Sequence, residues 1–279
     1  MDPATLIVAA LAFGALIGMM TIEHVSIMSI FLPGPLILVF GTTLGVGIAS
    51  GALKDAINSF KVILPSILAK KHDASKAIED LVGIAEKARA NGLLALEQEA
   101  EGVDDPFLKG ALQSVADGTD ADELREILED EIQGRTAQAR QAAKFFMSLG
   151  GYAPTVGIIG TVVSLTHVLE NLSTPDKLGP LIASAFVATL WGLLSANLIW
   201  LPIGGRIKRV MELEVSRMTL LMEGVLAIQE GTQPRLLGSR LRAMVPKVDL
   251  PAEGKVVKST KVTDKSDKSK KGDKQDVAA

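Results

Sequence analysis

The chain contains no cysteine, which excludes disulfides, thiolate metal sites and a cysteine nucleophile. Its three histidines are scattered, so a histidine-based metal centre is not expected. The net charge is −3 with no strongly basic face, which argues against nucleic acid as a partner. No Ser-His-Asp spacing, phosphate-cradling glycine loop or metal motif is spelled out, so the reading is of a protein that is not an enzyme and holds no cofactor. The N-terminus lacks the basic segment of a removable signal peptide, and its first apolar run is followed directly by a second.

Charge is also absent locally. Residues 3–22, 24–53, 145–169 and 178–205 carry no Asp, Glu, Lys or Arg. A bilayer core about 30 Å thick needs roughly 20 apolar helical residues, and each stretch is long enough. The expected fold class is therefore an all-α membrane protein: four transmembrane helices with a helical cytoplasmic domain inserted between helices 2 and 3. The expected division is 1–53 for helices 1 and 2, 54–144 for the inserted domain, 145–205 for helices 3 and 4, 206–247 for a cytoplasmic C-terminal helix and 248–279 for a disordered charged tail. Nearly all Lys and Arg lie in the insert and after residue 205. By the positive-inside rule these parts and both termini are cytoplasmic, while the turns near Glu23 and at 170–177 face outward.

The insert reads as helical. Ile57, Phe60, Val62, Ile63 and Leu64 predict an amphipathic helix continuing the second span, and Ile78, Leu81, Ile84 and Ala85 repeat at helical spacing. Asn91-Gly92 reads as a helix stop, Asp104-Asp105-Pro106 as a start, and Thr119 with Asp122 and Glu123 as the cap of a long helix running toward the membrane. Pro33-Gly34 opens the second span, and Pro175 breaks the chain between the last two.

Within the spans, Pro154, Gly157 or Ile158, and Thr161 fall near one stripe. Ala185, Thr189, Gly192 and Ala196 follow at i, i+4, i+7 and i+11. Such a small-residue stripe admits another helix closely, either from the same chain or from a partner. A membrane threonine either bonds its own helix or offers an oxygen to an ion. Pro154 and Pro202 either mark helix ends or permit a hinge. No carboxylate lies inside any span; an ion-moving assembly would take it from a partner.

Taken in order, these features resemble the A subunit of the bacterial flagellar stator (the MotA/PomA family). The resemblance runs from Met1-Asp2 to about Met244. Its elements are Asp105-Pro106-Phe107, the segment from Ala153-Pro154 through Thr161, Asn171-Leu172, Leu178-Gly179-Pro180, Thr189-Leu190-Trp191-Gly192 and Pro202. It implies a homopentamer around a dimer of B subunits, each with an ion-binding Asp, in the bacterial inner membrane. Transported H+ or Na+ would turn the A ring, which would push the rotor protein FliG. It further implies rotor contacts at Arg89 and Glu97, with Lys87, Glu99 and Glu101 as neighbours. Pro154 and Pro202 would act as coupling prolines, Thr161 and Thr189 on the ion path, and Gly157, Ala185, Gly192 and Ala196 in partner-helix packing. Ala188 stands where sodium-type relatives often have a second threonine, so proton and sodium both stay open. Other readings are a TolQ/ExbB-like energy-transducing channel subunit and a non-conducting membrane scaffold.

Overall fold

The computed structural model describes residues 4–69 and 73–246, with side chains from residue 10 onward. Among these residues the structure is all helical, and no strand forms. Expectations placed on residues 1–3 and 247–279 lie outside the described residues.

The first helix, α1 (Ala4–Ile22), closes with Glu23 donating to Met19 O. A short 3₁₀ turn at Ile27–Ile30 follows. Pro33 then occupies the first turn of α2 (Pro33–Leu36), where its missing N–H costs nothing. This helix runs through a π segment, Ile37–Gly41, into α3 (Thr42–Ala49). The charge-free stretch 24–53 is thus helical only over Pro33–Ala49 in the span direction.

The amphipathic helix α4 (Leu53–Leu68) does not continue that span. It leaves it at 115°. Ser50 and Gly51 close the last turn of α3, and Ala52 is extended (φ −101°, ψ 144°), which ends the helical path. Hydropathy does not encode this turn, because the residues on either side are apolar. One face of α4 packs inward: Ala56, Ser59 and Ser66 are buried, and the Phe60 ring lies 5.2 Å from that of Phe146. The other face leaves Leu53, Ile57, Leu64 and Leu68 exposed.

The insert is built from α5 (Ala74–Asn91), α6 (Ala95–Glu101) and α7 (Pro106–Ala116). Asp73 caps α5 by accepting from Ser75 N at 2.9 Å. Asp105 caps α7 by accepting from Phe107 N at 2.9 Å and Leu108 N at 3.2 Å, with Pro106 in the first turn. The long helix α8 (Ala121–Glu170) spans 50 residues and is capped by Asp120, not Thr119 as expected; Asp120 accepts from Asp122 N at 2.9 Å. The Thr119 carbonyl accepts from Gln229 Nε2 at 2.7 Å.

After Asn171, α9 (Pro175–Leu194) begins at Pro175. That proline starts a helix; the stop is the turn before it, where Asn171 Nδ2 bonds His167 O at 2.8 Å. A π segment, Ser195–Trp200, leads into α10 (Leu201–Gln229), so the helix is continuous from Pro175 to Gln229. The expected boundary at 205/206 falls inside this rod. A turn with Gly231 at φ 75° precedes α11 (Pro234–Met244).

The main core lies in the insert. Leu81, Leu96, Phe107, Leu112, Leu124 and Leu128 meet Met218, Leu226, Leu237 and Leu241. Burying each such side chain contributes about 1.5–3 kcal/mol. The insert and the C-terminal helices therefore share one core, fed by both long rods. A second cluster joins α4, α8 and α10 through Phe146, Leu149, Trp200 and Ile207. A third sets Val39 against Val187 and Trp191. There, Trp191 Nε1 donates to Ile30 O at 2.7 Å, which ties α9 to the turn before α2. Two helices, Ala121–Glu170 and Pro175–Gln229, are long and apolar enough to cross a membrane. The bent pair Pro33–Ala49 plus Leu53–Leu68 adds a third if counted as one span, and Ala10–Ile22 is a shorter apolar segment.

Candidate functional site

The apolar halves of α8 and α9 cross at Gly157 and Gly192. A Cβ added at Gly192 would lie 2.8 Å from Ala153 O and 3.0 Å from Gly157 Cα, and one at Gly157 would lie 3.1 Å from Ala188 O. Backbone meets backbone there, which only glycine allows. Gly157, Ala185, Gly192 and Ala196 are all buried in this contact or beside it. Of the two alternatives for the small-residue stripe, the contact within the chain is formed here. Close approach buries both small faces at once, and they belong to consecutive helices.

This approach brings the two threonines together. Thr161 Oγ1 contacts Thr189 Oγ1 directly. It also lies 3.1 Å from Gly157 O on its own helix and 3.2 Å from Ala185 O on α9. A hydroxyl carries one proton. The arrangement that satisfies most groups has Thr161 donating to a carbonyl and accepting from Thr189. Thr189 then keeps both lone pairs. Both residues are half-buried. The pair supplies neutral oxygens and no charge, so a cation there needs a negative group from elsewhere.

Pro154 sits inside α8, and Pro202 lies in the first turn of α10, within the continuous helix Pro175–Gln229. The Pro154 ring removes the N–H that would bond the Gly150 carbonyl. Gly150 itself faces Leu201, whose Cδ2 lies 2.5 Å from where a Cβ would be. Leu201 immediately precedes Pro202 in the chain, and Pro202 follows the π segment Ser195–Trp200. The two interruptions in backbone hydrogen bonding thus lie on facing helices near one level. Irregularities of this kind are where helices bend.

The charges of the insert divide into a paired set and an open set. Lys87 Nζ bonds Glu99 Oε2 at 2.7 Å, joining α5 to α6. Arg89 and Glu97 are exposed, and neither has an ion-pair partner among the described residues. Between them Gly92 has φ 83° and ψ 170°, a conformation essentially restricted to glycine. Its N–H bonds Ala88 O at 2.9 Å. The turn carries Leu93 and Leu94 on its outside. Glu101 is also exposed.

One polar cluster had no signal in the sequence. Arg217 on α10 pairs with Asp105 at the start of α7, and its Nη2 lies 2.7 Å from Glu214 Oε1. Burial opposes ionisation of Asp105. The Leu108 N–H, the Arg217 guanidinium and the Phe107 N–H outweigh it and hold the carboxyl below its ordinary value. One carboxylate thus both caps α7 and anchors it to the C-terminal rod. Glu223 similarly receives Arg125 at 2.6 Å and Arg240 at 2.9 Å.

Residues 99–220 match the model of the MotA/TolQ/ExbB proton channel family. Over 256 residues the chain is 35% identical to motility protein A of Bacillus subtilis, covering 89% of this chain and 93% of that protein. The fold is similar to that in the structure of C. jejuni MotAB, with a TM-score of 0.82 at 25% identity, covering 88% of this chain and 97% of that one. It is also similar to that in the flagellar MotAB stator complex from Bacillus subtilis, with a TM-score of 0.79 at 30% identity, covering 89% and 97%.

Proposed function

The chain belongs to the motility protein A group of the MotA/TolQ/ExbB proton channel family, and on that premise we propose that it is an ion-conducting stator subunit of the bacterial flagellar motor. The observation that carries the mechanism is the pair of unbroken rods. Helix α8 and the helix from Pro175 to Gln229 each run from the Thr161–Thr189 level into the core of the insert. A rotation or tilt generated among the apolar halves reaches the cytoplasmic domain without passing through a loop.

In this reading four helices span the inner membrane: α1, the helix Pro33–Ala49, and the apolar parts of α8 and of α9 with its π segment. Helix α4 lies along the cytoplasmic surface with its leucines toward lipid. Both termini and the insert are cytoplasmic. Five copies surround a dimer of B subunits whose Asp carries H+ or Na+. The hydroxyl pair lines the path and hands the ion on as neutral oxygens, and the charge is balanced by the partner's carboxylate. The flexible level at Pro154 and Pro202 lets the rods move as the Asp changes state. Arg89 and Glu97 press on FliG, while Lys87 and Glu99 brace the α5–α6 corner that presents them.

The test is co-expression with a B subunit in cells lacking their own stator. Swimming and an ion flux that vanish together when the partner's Asp is replaced support the proposal. Flux that persists without the Asp overturns it. Arg89→Glu and Glu97→Lys should each impair swimming with normal membrane assembly; unchanged swimming in both removes them from the rotor contact. Swimming speed against external sodium at fixed proton-motive force decides the ion.

A further inference from the structure

The α5–α6 turn presents an apolar tip between two open charges. Leu94 is 76% exposed and Leu93 39%. Among the described residues of the insert and the C-terminal helices, no large apolar side chain is more exposed than Leu94; Leu64 follows at 65% and Leu236 at 63%. The turn is not loose. Gly92 N–H bonds Ala88 O at 2.9 Å, Ala95 N–H bonds Gly92 O at 3.2 Å and Leu96 N–H bonds Leu93 O at 3.0 Å. On either side Ala88 and Leu96 are buried in the main core, Leu96 completely. The same turn that buries Leu96 holds Leu94 out in water. Arg89 lies in the last turn of α5 and Glu97 in the first turn of α6, so opposite charges flank the leucines.

We propose that Leu93 and Leu94 form the apolar anchor of the rotor contact. They seat in a pocket on the rotor protein rimmed by an acidic group facing Arg89 and a basic group facing Glu97. This rests on the stator reading above and adds what the charges alone do not supply. Rim charges in water steer and orient an encounter but hold it weakly. A desolvated leucine at the centre holds it once made. Two unpaired charges of opposite sign also select one orientation of the partner, because the reversed docking sets like charges together. The Lys87–Glu99 pair fixes the corner from behind and leaves the tip unobstructed.

The experiment uses the full chain with its B subunit in stator-less cells. Leu94→Gln is expected to weaken stator–rotor association roughly tenfold or more and to reduce swimming accordingly, with membrane level unchanged. Leu94→Met should keep both. Because the chain has no cysteine, Leu94→Cys introduces its sole thiol. A maleimide–benzophenone attached there, photolysed in membranes with rotors attached, should yield an adduct with the rotor protein. Swimming unaffected by Leu94→Gln overturns the anchor. So does an adduct only between two copies of this chain, which would assign the tip to self-association. Failure of the unaltered chain to restore swimming defeats the stator reading itself; restored swimming with an indifferent Leu94 defeats only the anchor.

Discussion

Replacing Gly192 by alanine tests the helix crossing on which the candidate ion path depends. The added Cβ would lie 2.8 Å from Ala153 O and 3.0 Å from Gly157 Cα. Ordinary contact begins at 3.4 Å, and both obstructing atoms are backbone, so no side chain can rotate away. The rods must separate by roughly half an ångström, an overpacking strain of about 1–3 kcal/mol. Alanine's better helix propensity returns about 1 kcal/mol. The expected net loss is up to about 2 kcal/mol, read as a lower melting temperature of the purified complex in detergent. Gly134→Ala, on the exposed part of α8 where a Cβ meets nothing within 4 Å, receives only the propensity gain and should be neutral or stabilising by up to about 1 kcal/mol. The opposite signs make the comparison robust to handling. Separation also pulls Thr161 from Ala185 O and Thr189, so ion flux should fall in Gly192→Ala and persist in Gly134→Ala. A Gly192→Ala complex that gains stability as Gly134→Ala does would refute the tight crossing.

Thr161→Val keeps the shape but removes the acceptor of the Thr189 hydroxyl; a stability loss of about 1 kcal/mol and reduced flux are expected, measured by melting and by an ion-sensitive dye. Asp105 has a depressed pKa in the folded protein, so its contribution is complete above the unfolded carboxylate value of about 4 and is lost as pH falls through the lower folded value. Hydrogen exchange of α7 amides should therefore rise below about pH 4, and Asp105→Asn should raise it already at neutral pH while removing that acid dependence. Gly92→Ala forces a side chain into a conformation costing about 1–3 kcal/mol; it should distort the α5–α6 corner and lower swimming without lowering membrane level, as read by motility in soft agar.

Much of the local structure was legible because it is decided by neighbours in sequence. Asp105-Pro106 caps α7 since a carboxylate two or three residues before free N–H groups satisfies them anywhere. Gly92 stops α5 since no other residue takes its φ without strain. The cap of α8 falls one residue later than expected: Thr119 and Asp120 are both competent, and it is Asp120 that accepts from Asp122 N. The division of the insert's charges was not legible: Lys87 and Glu99 are twelve residues apart, and only the fold of α5 against α6 pairs them.

The sequence by itself determined where charge is excluded, and hence the apolar helices, because the cost of placing an unpaired charge in hydrocarbon depends on the residue alone. It also determined the caps and stops, which are contacts within a few residues. Tertiary structure alone decided the 115° turn before α4, the pairing of Arg217 with Asp105 and the occupant of the small-residue stripe. A stripe of glycine and alanine specifies only that something comes close; which helix does so is a comparison between alternative packings. Here Gly157 meets Gly192 and brings Thr161 onto Thr189 within one chain, so the stripe positions the hydroxyl pair.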